Sequence, residues 1–339
     1  MNKSKRISTC LMAAVMVAAS AQCAMAQKLT GAGSTFDYPI FAKWFSEYSQ
    51  AHPGVEINYQ SIGSGGGIQQ VSNGLVDFGA SDGPMTDAQL AQSKVKLVHI
   101  PVVLGAVVPV FNVPGVSDLR FSGETIAAIF LGKITNWSDA RIAQDNPGVK
   151  LPSMAINVVH RADGSGTTFI FADYLSKVSQ DWKSGPGVGT SLNWPRGIGG
   201  KGSEGVTGLI RQLPGSIGYV ELTYALQNHI SFGAVKNAAG NWVRASIPGV
   251  TEAASSVKNM PSDFRVSITN APGATAYPIS SFSWMLVPVK AQDAAKGRVL
   301  RDFLSWLVKS GESQVSSLYY APLPENVGQK VLKVVYNLQ

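Results

Sequence analysis

Four short segments of the sequence combine glycine with serine or threonine where helices are expected to begin. They are 31–36 (GAGSTF), 63–67 (GSGGG), 80–83 (ASDG) and 161–168 (RADGSGTT). The first turn of a helix exposes unpaired N–H groups and a partial positive charge, which together attract anions. Glycine lets the backbone approach a bound group closely, and hydroxyl groups add further donors. These segments indicate a site for an anion.

The fourth segment also carries a permanent positive charge. Arg161 offers a forked set of donors that matches a tetrahedral oxyanion. Any one of these segments alone is better explained as an ordinary capped turn between a strand and a helix. Four of them in one chain, one with an arginine, favour oxyanion binding.

The elements that must position these segments alternate between short apolar strands and helices. Strands are predicted at 55–60, 76–80, 95–103, 106–110, 156–160, 217–220 and 282–289. Helices are predicted at 68–73, 123–131, 169–175 and 293–309. Because strands and helices alternate, we expect an α/β fold with largely parallel sheets.

The first 26 residues have the features of a cleavable secretory signal peptide. Positive residues precede the apolar run 11–19, and Ala24-Met25-Ala26 fits a cleavage site. Export would leave 313 residues starting at Gln27. That length exceeds what one hydrophobic core usually holds, so two lobes are expected. Later segments lack the roughly 20 continuous apolar residues of a spanning helix, so no membrane anchor is expected.

Two apolar stretches, 101–109 and 277–281, are candidates for chain crossovers between the lobes. If both are crossovers, the two ends of the chain combine into one lobe and the middle forms the other. The predicted organisation is a signal peptide at 1–26, a discontinuous first lobe at 27–104 and 276–339, and a second lobe at 105–275.

Both cysteines, Cys10 and Cys23, lie inside the predicted signal peptide. The exported chain would contain none, which excludes disulfides, thiolate metal sites and cysteine nucleophiles. The alternative is a lipid anchor on Cys23. Gln22 argues against it, because lipoprotein signals have a small residue immediately before the cysteine.

Charge and residue types exclude several other functions. Loss of three basic residues with the signal lowers the formal charge from +7 to +4, which suits attraction of small anions. Only 14% of residues are charged, too few for a nucleic-acid binder.

The four histidines are scattered without metal-ligand spacing, so neither a metal nor another cofactor is expected. Residues 197–202 match the dinucleotide pattern GxGxxG, but no apolar strand precedes them, and a loop is predicted.

Seven motifs occur in order along nearly the whole exported chain. They are GAGSTF at 31–36, IGSGGG at 62–67, DFGASD at 77–82, LGKITNW at 131–137, RADGSGTTF at 161–169, GGKGSEGV at 199–206 and LPGSIGYVE at 213–221. In these motifs the chain resembles the periplasmic phosphate-binding proteins of high-affinity phosphate ABC transporters. The resemblance implies a type II periplasmic-binding-protein fold, in which two α/β lobes joined by a hinge close over phosphate in a central cleft.

The resemblance also implies a set of phosphate ligands. They are Thr35, Phe36, Ser64, Asp82, Arg161, Ser165, Gly166 and Thr167. Arg161 would give the charged contact, with Asp163 holding it by an ion pair, and Asp82 would face the ligand as an acceptor. The implied partners are inorganic phosphate and a membrane permease. The implied protein is a periplasmic monomer without enzyme activity, cofactor or nucleic-acid ligand.

Asp82 makes a selection between anions possible. A carboxylate can accept a hydrogen bond from the O–H of phosphate, whereas sulfate carries no proton and would leave the charge unpaired. Ser34, Asp37 and Gly65 depart from the family pattern, which has Ala, Pro and Ser there. Asp37 is therefore expected to change the charge near the mouth of the cleft.

Three alternative functions stay open at this point. The first is binding of another tetrahedral oxyanion such as sulfate or molybdate, against which Asp82 argues. The second is a hydrolase that uses Ser64 or Ser165, although neither serine lies in a GxSxG elbow. The third is a surface adhesion or scavenging role.

Overall fold

The computed structural model describes residues 27–339. The predicted signal peptide, both cysteines and the possible lipid anchor lie outside the described residues. Within 27–339, no helix combines the length and apolar character that crossing a membrane requires.

Strands and helices alternate along most of the described chain. The strands are β1 (Gln27–Gly33), β2 (Val55–Ser61), β3 (Phe78–Ser81), β4 (Leu97–Asn112), β5 (Arg120–Phe121), β6 (Asn157–Arg161), β7 (Ile198–Gly200), β8 (Ser216–Glu221), β9 (Ser231–Phe232), β10 (Ala234–Lys236), β11 (Trp242–Val243) and β12 (Ser280–Pro288). The helices are α1 (Tyr38–Ala51), α2 (Ser64–Ser72), α3 (Asp87–Gln92), α4 (Gly123–Phe130), α5 (Ala140–Asp145), α6 (Gly166–Val178), α7 (Gln180–Ser184), α8 (Gly202–Gln212), α9 (Leu222–Gln227), α10 (Ile247–Ser255), α11 (Ala294–Lys309) and α12 (Glu325–Tyr336). A 3-10 helix covers Gly311–Leu318.

One long mixed sheet runs through the molecule in the order β2-β1-β3-β12-β4-β8-β6-β7, with β9 also paired to β4. The outer groups β2-β1-β3 and β8-β6-β7 are parallel, while β12 and β4 are antiparallel to their neighbours. A second sheet has the order β11-β10-β5. The expected α/β class is confirmed, with a mixed rather than a largely parallel main sheet.

Strand β4 joins the two halves of the main sheet. Its residues up to Ala106 pair with β12, and those from Val107 onward pair with β8. The chain returns beside this point, where the Val107 N–H donates to the Ile279 carbonyl over 2.9 Å. The change of partner lies next to the predicted crossovers, but the lobe boundaries 27–104, 105–275 and 276–339 stay a prediction.

The sequence predicts two strands at 95–103 and 106–110; their extended structure is confirmed, but the break between them is wrong. Both stretches belong to the 16-residue strand β4. Glycine is needed at position 105 within this strand, because the ring of Phe36 would lie 2.5 Å from a Cβ there. Only the pairing partner changes there, which periodicity along one strand does not reveal.

The start and the buried face of helix α11 both follow from its local sequence. Asp293 caps its N-terminus, accepting hydrogen bonds from the N–H groups of Ala295 and Lys296 at 2.7 and 3.1 Å. The residues that it buries recur at helical spacing, so one face packs inward. They are Gly297, Leu300, Phe303, Leu304 and Leu307.

Four tryptophans are fully buried and each has its indole N–H paired. Trp44, Trp137, Trp182 and Trp284 donate to the backbone carbonyls of Gly311, Gly215, Gly187 and Phe264 at 2.9–3.0 Å. A large ring can be buried at low cost when its polar atom has a partner. These indoles therefore tie loops to the cores on both sides of β4.

Glu312 gives the fold a pH-dependent weakness. Its Oε2 accepts the Leu323 N–H at 3.0 Å, while its Oε1 has no partner. Burial raises the pKa of Glu312 from 4.5 to about 8. Because the folded pKa lies above the unfolded one, the folded state binds more protons, and stability falls as pH rises between these values.

We therefore expect Glu312→Gln to stabilise the protein increasingly as pH rises. The gain between about pH 5 and about pH 8 should be about 1–2 kcal/mol, since the side chain keeps partial contact with solvent. Urea unfolding at both pH values measures it. Glu325→Gln on the exposed side of α12 is the control and should change stability by under about 0.5 kcal/mol at either pH. A gain that does not depend on pH would contradict this role of Glu312.

Candidate functional site

The ends of parallel strands bring the glycine-rich segments together. Strands β1 and β3 end at Gly33 and Ser81, and the loops that follow hold Ser34–Asp37 and Asp82. In the other half of the sheet, β6 ends at Arg161 and leads into α6. Loops at the carboxyl ends of parallel strands are the usual place for ligand sites in α/β sheets.

Several hydrogen bonds join the halves of the sheet across the site. The Gly65 N–H donates to the Gly164 carbonyl at 2.8 Å, and the Gly166 N–H donates to Ser64 Oγ at 3.0 Å. The hydroxyls of Thr35 and Ser203 lie 2.8 Å apart. Glycine is needed at this junction, because a Cβ at position 63 would lie 2.3 Å from Asp163 Oδ2. The two halves are therefore in contact, in a closed arrangement.

Asp82 is buried and its two carboxylate oxygens have different surroundings. Its Oδ1 accepts from Ser34 Oγ at 2.6 Å and lies 2.7 Å from Ser283 Oγ. Its Oδ2 has only Ser64 Oγ, at the long distance of 3.4 Å. Burial raises the pKa of Asp82, while the hydroxyls of Ser34 and Ser283 and the Arg161 charge oppose that rise. Oδ1 thus has its hydrogen bonds filled, whereas Oδ2 can accept a further hydrogen bond.

Arg161 is held by Asp163 in a two-point ion pair. Its Nε donates to Oδ1 at 2.8 Å and its Nη2 to Oδ2 at 2.5 Å, with the arginine side chain 2% exposed. Its Nη1 lies 3.4 Å from Thr167 Oγ1 at the start of α6. Burial would raise the pKa of Asp163, but the hydrogen bonds and charge of Arg161 outweigh it and lower that pKa. The guanidinium is therefore fixed with Nη1 toward the helix start.

The remaining predicted residues surround the same point. Ser165 caps α6, its Oγ accepting the Thr168 N–H at 3.1 Å, and Gly166 and Thr167 form the first turn. A Cβ on Gly166 would lie 2.5 Å from Ser64 Oγ and 2.6 Å from Asp82 Oδ2. The eight predicted ligand residues thus lie around one junction, seven of them in loops or helix starts and Arg161 at the end of β6.

The first loop is fixed by two tyrosine hydroxyls. Tyr224 donates to the Thr35 carbonyl at 2.7 Å, and Tyr320 donates to the Phe36 carbonyl at 2.5 Å. Phe36 is fully buried, with its ring against that of Tyr320. With both carbonyls occupied and the Thr35 hydroxyl paired with Ser203, the backbone N–H groups of Thr35 and Phe36 are left to serve as donors.

Several residues of the site were missed by sequence reasoning. Ser34 and Ser283 contact Asp82, and the Gly202 N–H donates to Asp163 Oδ1 at 2.9 Å. Residues 197–202, predicted as a loop, form strand β7 and begin α8. The GGKGSEGV motif was the signal for this segment, but its partners lie about 40 to 170 residues away along the chain.

Asp37 lies inside the molecule, not near the mouth of the cleft. Its side chain is fully buried, Oδ2 is 2.5 Å from Ser283 Oγ, and Oδ1 has no partner. Burial and the neighbouring charge of Asp82 raise the pKa of Asp37 well above its usual range. The expectation that Asp37 lies near the mouth of the cleft and changes the charge there is therefore wrong.

Across residues 27–339, no group of three or more histidine, aspartate or glutamate side chains is arranged to hold a metal ion. The donors around the junction are N–H and O–H groups and one guanidinium, which suit an anion.

Comparisons with known proteins agree with this donor set. The model of the PBP superfamily domain matches residues 18–311. The phosphate-binding protein PstS of Xylella fastidiosa is 47% identical over 315 residues, which cover 92% of this chain and 86% of the relative. PstS of Pasteurella multocida is 44% identical over 324 residues, covering 95% and 93%.

A solved structure supports the fold independently. A phosphate-binding protein from Stenotrophomonas maltophilia aligns with a TM-score of 0.71 at 19% identity, covering 91% of this chain and 93% of that protein. This similarity shows the type II periplasmic-binding-protein fold expected from the sequence. Together with the sequence matches, it places the chain in the PstS family of the PBP superfamily, a family of binding proteins and not of enzymes.

Proposed function

We propose that this protein captures inorganic phosphate at the junction of its two halves. The observation that carries the proposal is the asymmetry of Asp82, whose Oδ1 is saturated and whose Oδ2 is left to accept a proton. Around that oxygen lie the first turn of α6 and the Arg161 guanidinium. A single hydrogen-bond acceptor among donors that bind an anion fits an oxyanion that still carries a proton.

The proposed ligand groups are those that the family resemblance implies. They are Thr35, Phe36, Ser64, Asp82, Arg161, Ser165, Gly166 and Thr167. The Gly166 N–H, which donates to Ser64 Oγ, would turn to a phosphate oxygen when the ligand enters. Asp163 fixes the orientation of Arg161 without contacting the ligand.

Selection against sulfate follows from the count of protons. Phosphate brings a donor to Asp82 Oδ2, whereas sulfate would bring another acceptor and leave a buried charge unpaired. Such a mismatch costs about 1–3 kcal/mol, or more for a charged group, and each 1.4 kcal/mol is a tenfold change in affinity. Arsenate, with the same shape and protons, should bind like phosphate.

The proposed setting is the periplasm, with the protein exported by its signal peptide and acting as a monomer. Separation of the halves would admit phosphate, and closure would bury it between the loops after β1 and β6. The closed form would dock on the permease of an ABC transporter, to which the ligand is delivered. The names of the PstS relatives support phosphate as the ligand.

Isothermal titration of the exported chain, stripped of ligand by partial unfolding, tests the proposal. Phosphate should bind at one site per chain, and sulfate at the same concentration should give no heat beyond dilution. Size-exclusion chromatography with light scattering checks the monomer. Absence of phosphate binding would refute the assignment, and sulfate or molybdate binding in its place would support the alternative oxyanions.

Gly166→Ala should weaken phosphate binding because the new methyl group occupies the junction. Its Cβ would lie 2.5–2.7 Å from Ser64 Oγ, Asp82 Oδ2 and Asp82 Cβ. Overpacking of this kind costs about 1–3 kcal/mol, which corresponds to a rise in Kd of about fivefold to about 150-fold. Gly208→Ala in α8 is the matched control, since nothing lies within 4 Å of its Cβ. Equal phosphate affinities for the two variants would contradict this placement of the ligand.

A further inference from the structure

One serine hydroxyl lies between two buried carboxyl groups. Ser283 Oγ is 2.5 Å from Asp37 Oδ2 and 2.7 Å from Asp82 Oδ1. The arrangement is set by the sheet, because β12 pairs with β3 through Trp284 and Ser81 and has its irregularity at Ser283. All three side chains are fully buried or nearly so.

The number of protons in this arrangement is fixed by its geometry. A serine hydroxyl has one proton and can donate to only one of the two carboxyl oxygens. The other short contact then needs a proton on the carboxyl group itself, since two bare carboxylate oxygens cannot share one donor without repulsion. At least one of Asp37 and Asp82 therefore carries a proton.

The surroundings decide between the two carboxyl groups. Asp82 also accepts from Ser34 Oγ, has Ser64 Oγ at 3.4 Å and feels the positive charge of Arg161. Asp37 has only Ser283 at Oδ2 and no partner at Oδ1. An ionised group needs donors more than a neutral one does, so the proton belongs on Asp37.

One further buried carboxyl group near Asp37 acts in the same direction. Glu221, at the end of β8, is buried with one oxygen unpaired, and its negative charge raises the pKa of Asp37. The phenols of Tyr59, on β2, and Tyr320 are neutral neighbours. The start of α1 favours a negative charge on Asp37, but its side chain makes no capping hydrogen bond there. Among the ion pairs of residues 27–339, none includes Asp37.

We propose that Asp37 is a neutral carboxylic acid that donates to Ser283, whose hydroxyl donates in turn to Asp82. Asp37 is then a positioning residue: it holds Asp82 Oδ1 in place through Ser283 and leaves Oδ2 as the acceptor for the proton of the ligand. The effect on the ligand rests on the proposed phosphate site, whereas the proton on Asp37 does not.

The hydrogen bonds from Asp37 to Ser283 and from Ser283 to Asp82 make phosphate affinity depend on pH. When alkaline pH removes the proton from Asp37, the Ser283 hydroxyl faces two carboxylates and the site gains a negative charge. Phosphate affinity should then fall. In Asp37→Asn the amide N–H replaces the acid proton as the donor to Ser283 and cannot be lost, so this fall should be absent.

The test combines infrared spectroscopy of the ligand-free protein with phosphate titrations. The carbonyl stretching band of a protonated carboxylic acid is measured in wild type and in the variants Asp37→Asn, Asp82→Asn and Ser283→Ala. We expect Asp37→Asn to remove one such band and Asp82→Asn to keep it. Ser283→Ala should shift it to higher frequency, because the acid loses its acceptor. A band that Asp82→Asn removes, or no band assignable to Asp37, would overturn the proposal.

The titrations compare Kd for phosphate at about pH 7 and about pH 10. The ratio of the two Kd values should be at least about fivefold smaller for Asp37→Asn than for wild type. Asp181→Asn, on the exposed surface, is the control and should keep the wild-type ratio. Equal ratios for wild type and Asp37→Asn would overturn the role of Asp37 at the ligand. If wild type bound no phosphate, the proposed function would fail, and the infrared result would still decide where the proton lies.

Discussion

Replacing Arg161 with methionine should weaken phosphate binding by at least about thirtyfold. The guanidinium is 2% exposed and directs Nη1 toward the first turn of α6, so its charge acts on the ligand with little screening. Loss of one partner from a buried, charged hydrogen-bonded pair costs about 2–5 kcal/mol or more. Isothermal titration with phosphate measures the change in Kd.

The control for Arg161 must separate binding from folding, because Asp163 would be left unpaired. In Arg161→Met/Asp163→Asn neither charge remains, and this double variant should recover stability to urea but not phosphate affinity. The surface offers a matched pair of the same spacing, Asp139 and Arg141, with the arginine 47% exposed. Arg141→Met should leave Kd within about twofold of wild type. Recovery of phosphate affinity in the double variant would show that Arg161 serves only the fold.

Asp82→Asn should reverse part of the preference between phosphate and sulfate. The amide offers a donor where the carboxylate was an acceptor, so the proton of phosphate loses its partner and an unprotonated oxyanion gains one. We expect phosphate affinity to fall by about 1–3 kcal/mol and sulfate binding to become measurable. Titration of each variant with both anions gives the change in their ratio.

The control for Asp82→Asn is Asp181→Asn, which removes a carboxylate that is 68% exposed and paired with Lys133. It should change neither affinity. Phosphate and sulfate affinities that fall together in Asp82→Asn would contradict selection by proton content, since they would show a loss of site geometry.

Local signals explain the parts of the structure that were predicted from the sequence. Helix α4 begins after Ser122, whose Oγ accepts the Thr125 N–H, and α11 begins after Asp293. Caps and 3.6-residue periodicity act over one or two turns, so the chain itself contains the information. The ion pair of Arg161 and Asp163, two residues apart, is the one that the family resemblance implies.

Contacts between distant residues explain what was not predicted. Ser283 reaches Asp37 across 246 positions of the sequence, and the register of β12 against β3 brings them together. Ser203 meets Thr35 across 168 positions, only because the halves of the sheet are in contact. A serine with ordinary neighbours has no local feature that marks such a role, and the burial of Asp37 is equally invisible in the residues beside it.

A crystal structure of the exported chain grown with phosphate would locate the ligand. We expect one tetrahedral anion at the junction, with an oxygen within hydrogen-bond distance of Asp82 Oδ2 and others on the Gly166 and Thr167 N–H groups and on Arg161. The Ser283 hydroxyl should remain between Asp37 and Asp82. Phosphate bound elsewhere, or at the junction without contact to Asp82 and Arg161, would refute capture of phosphate by these residues.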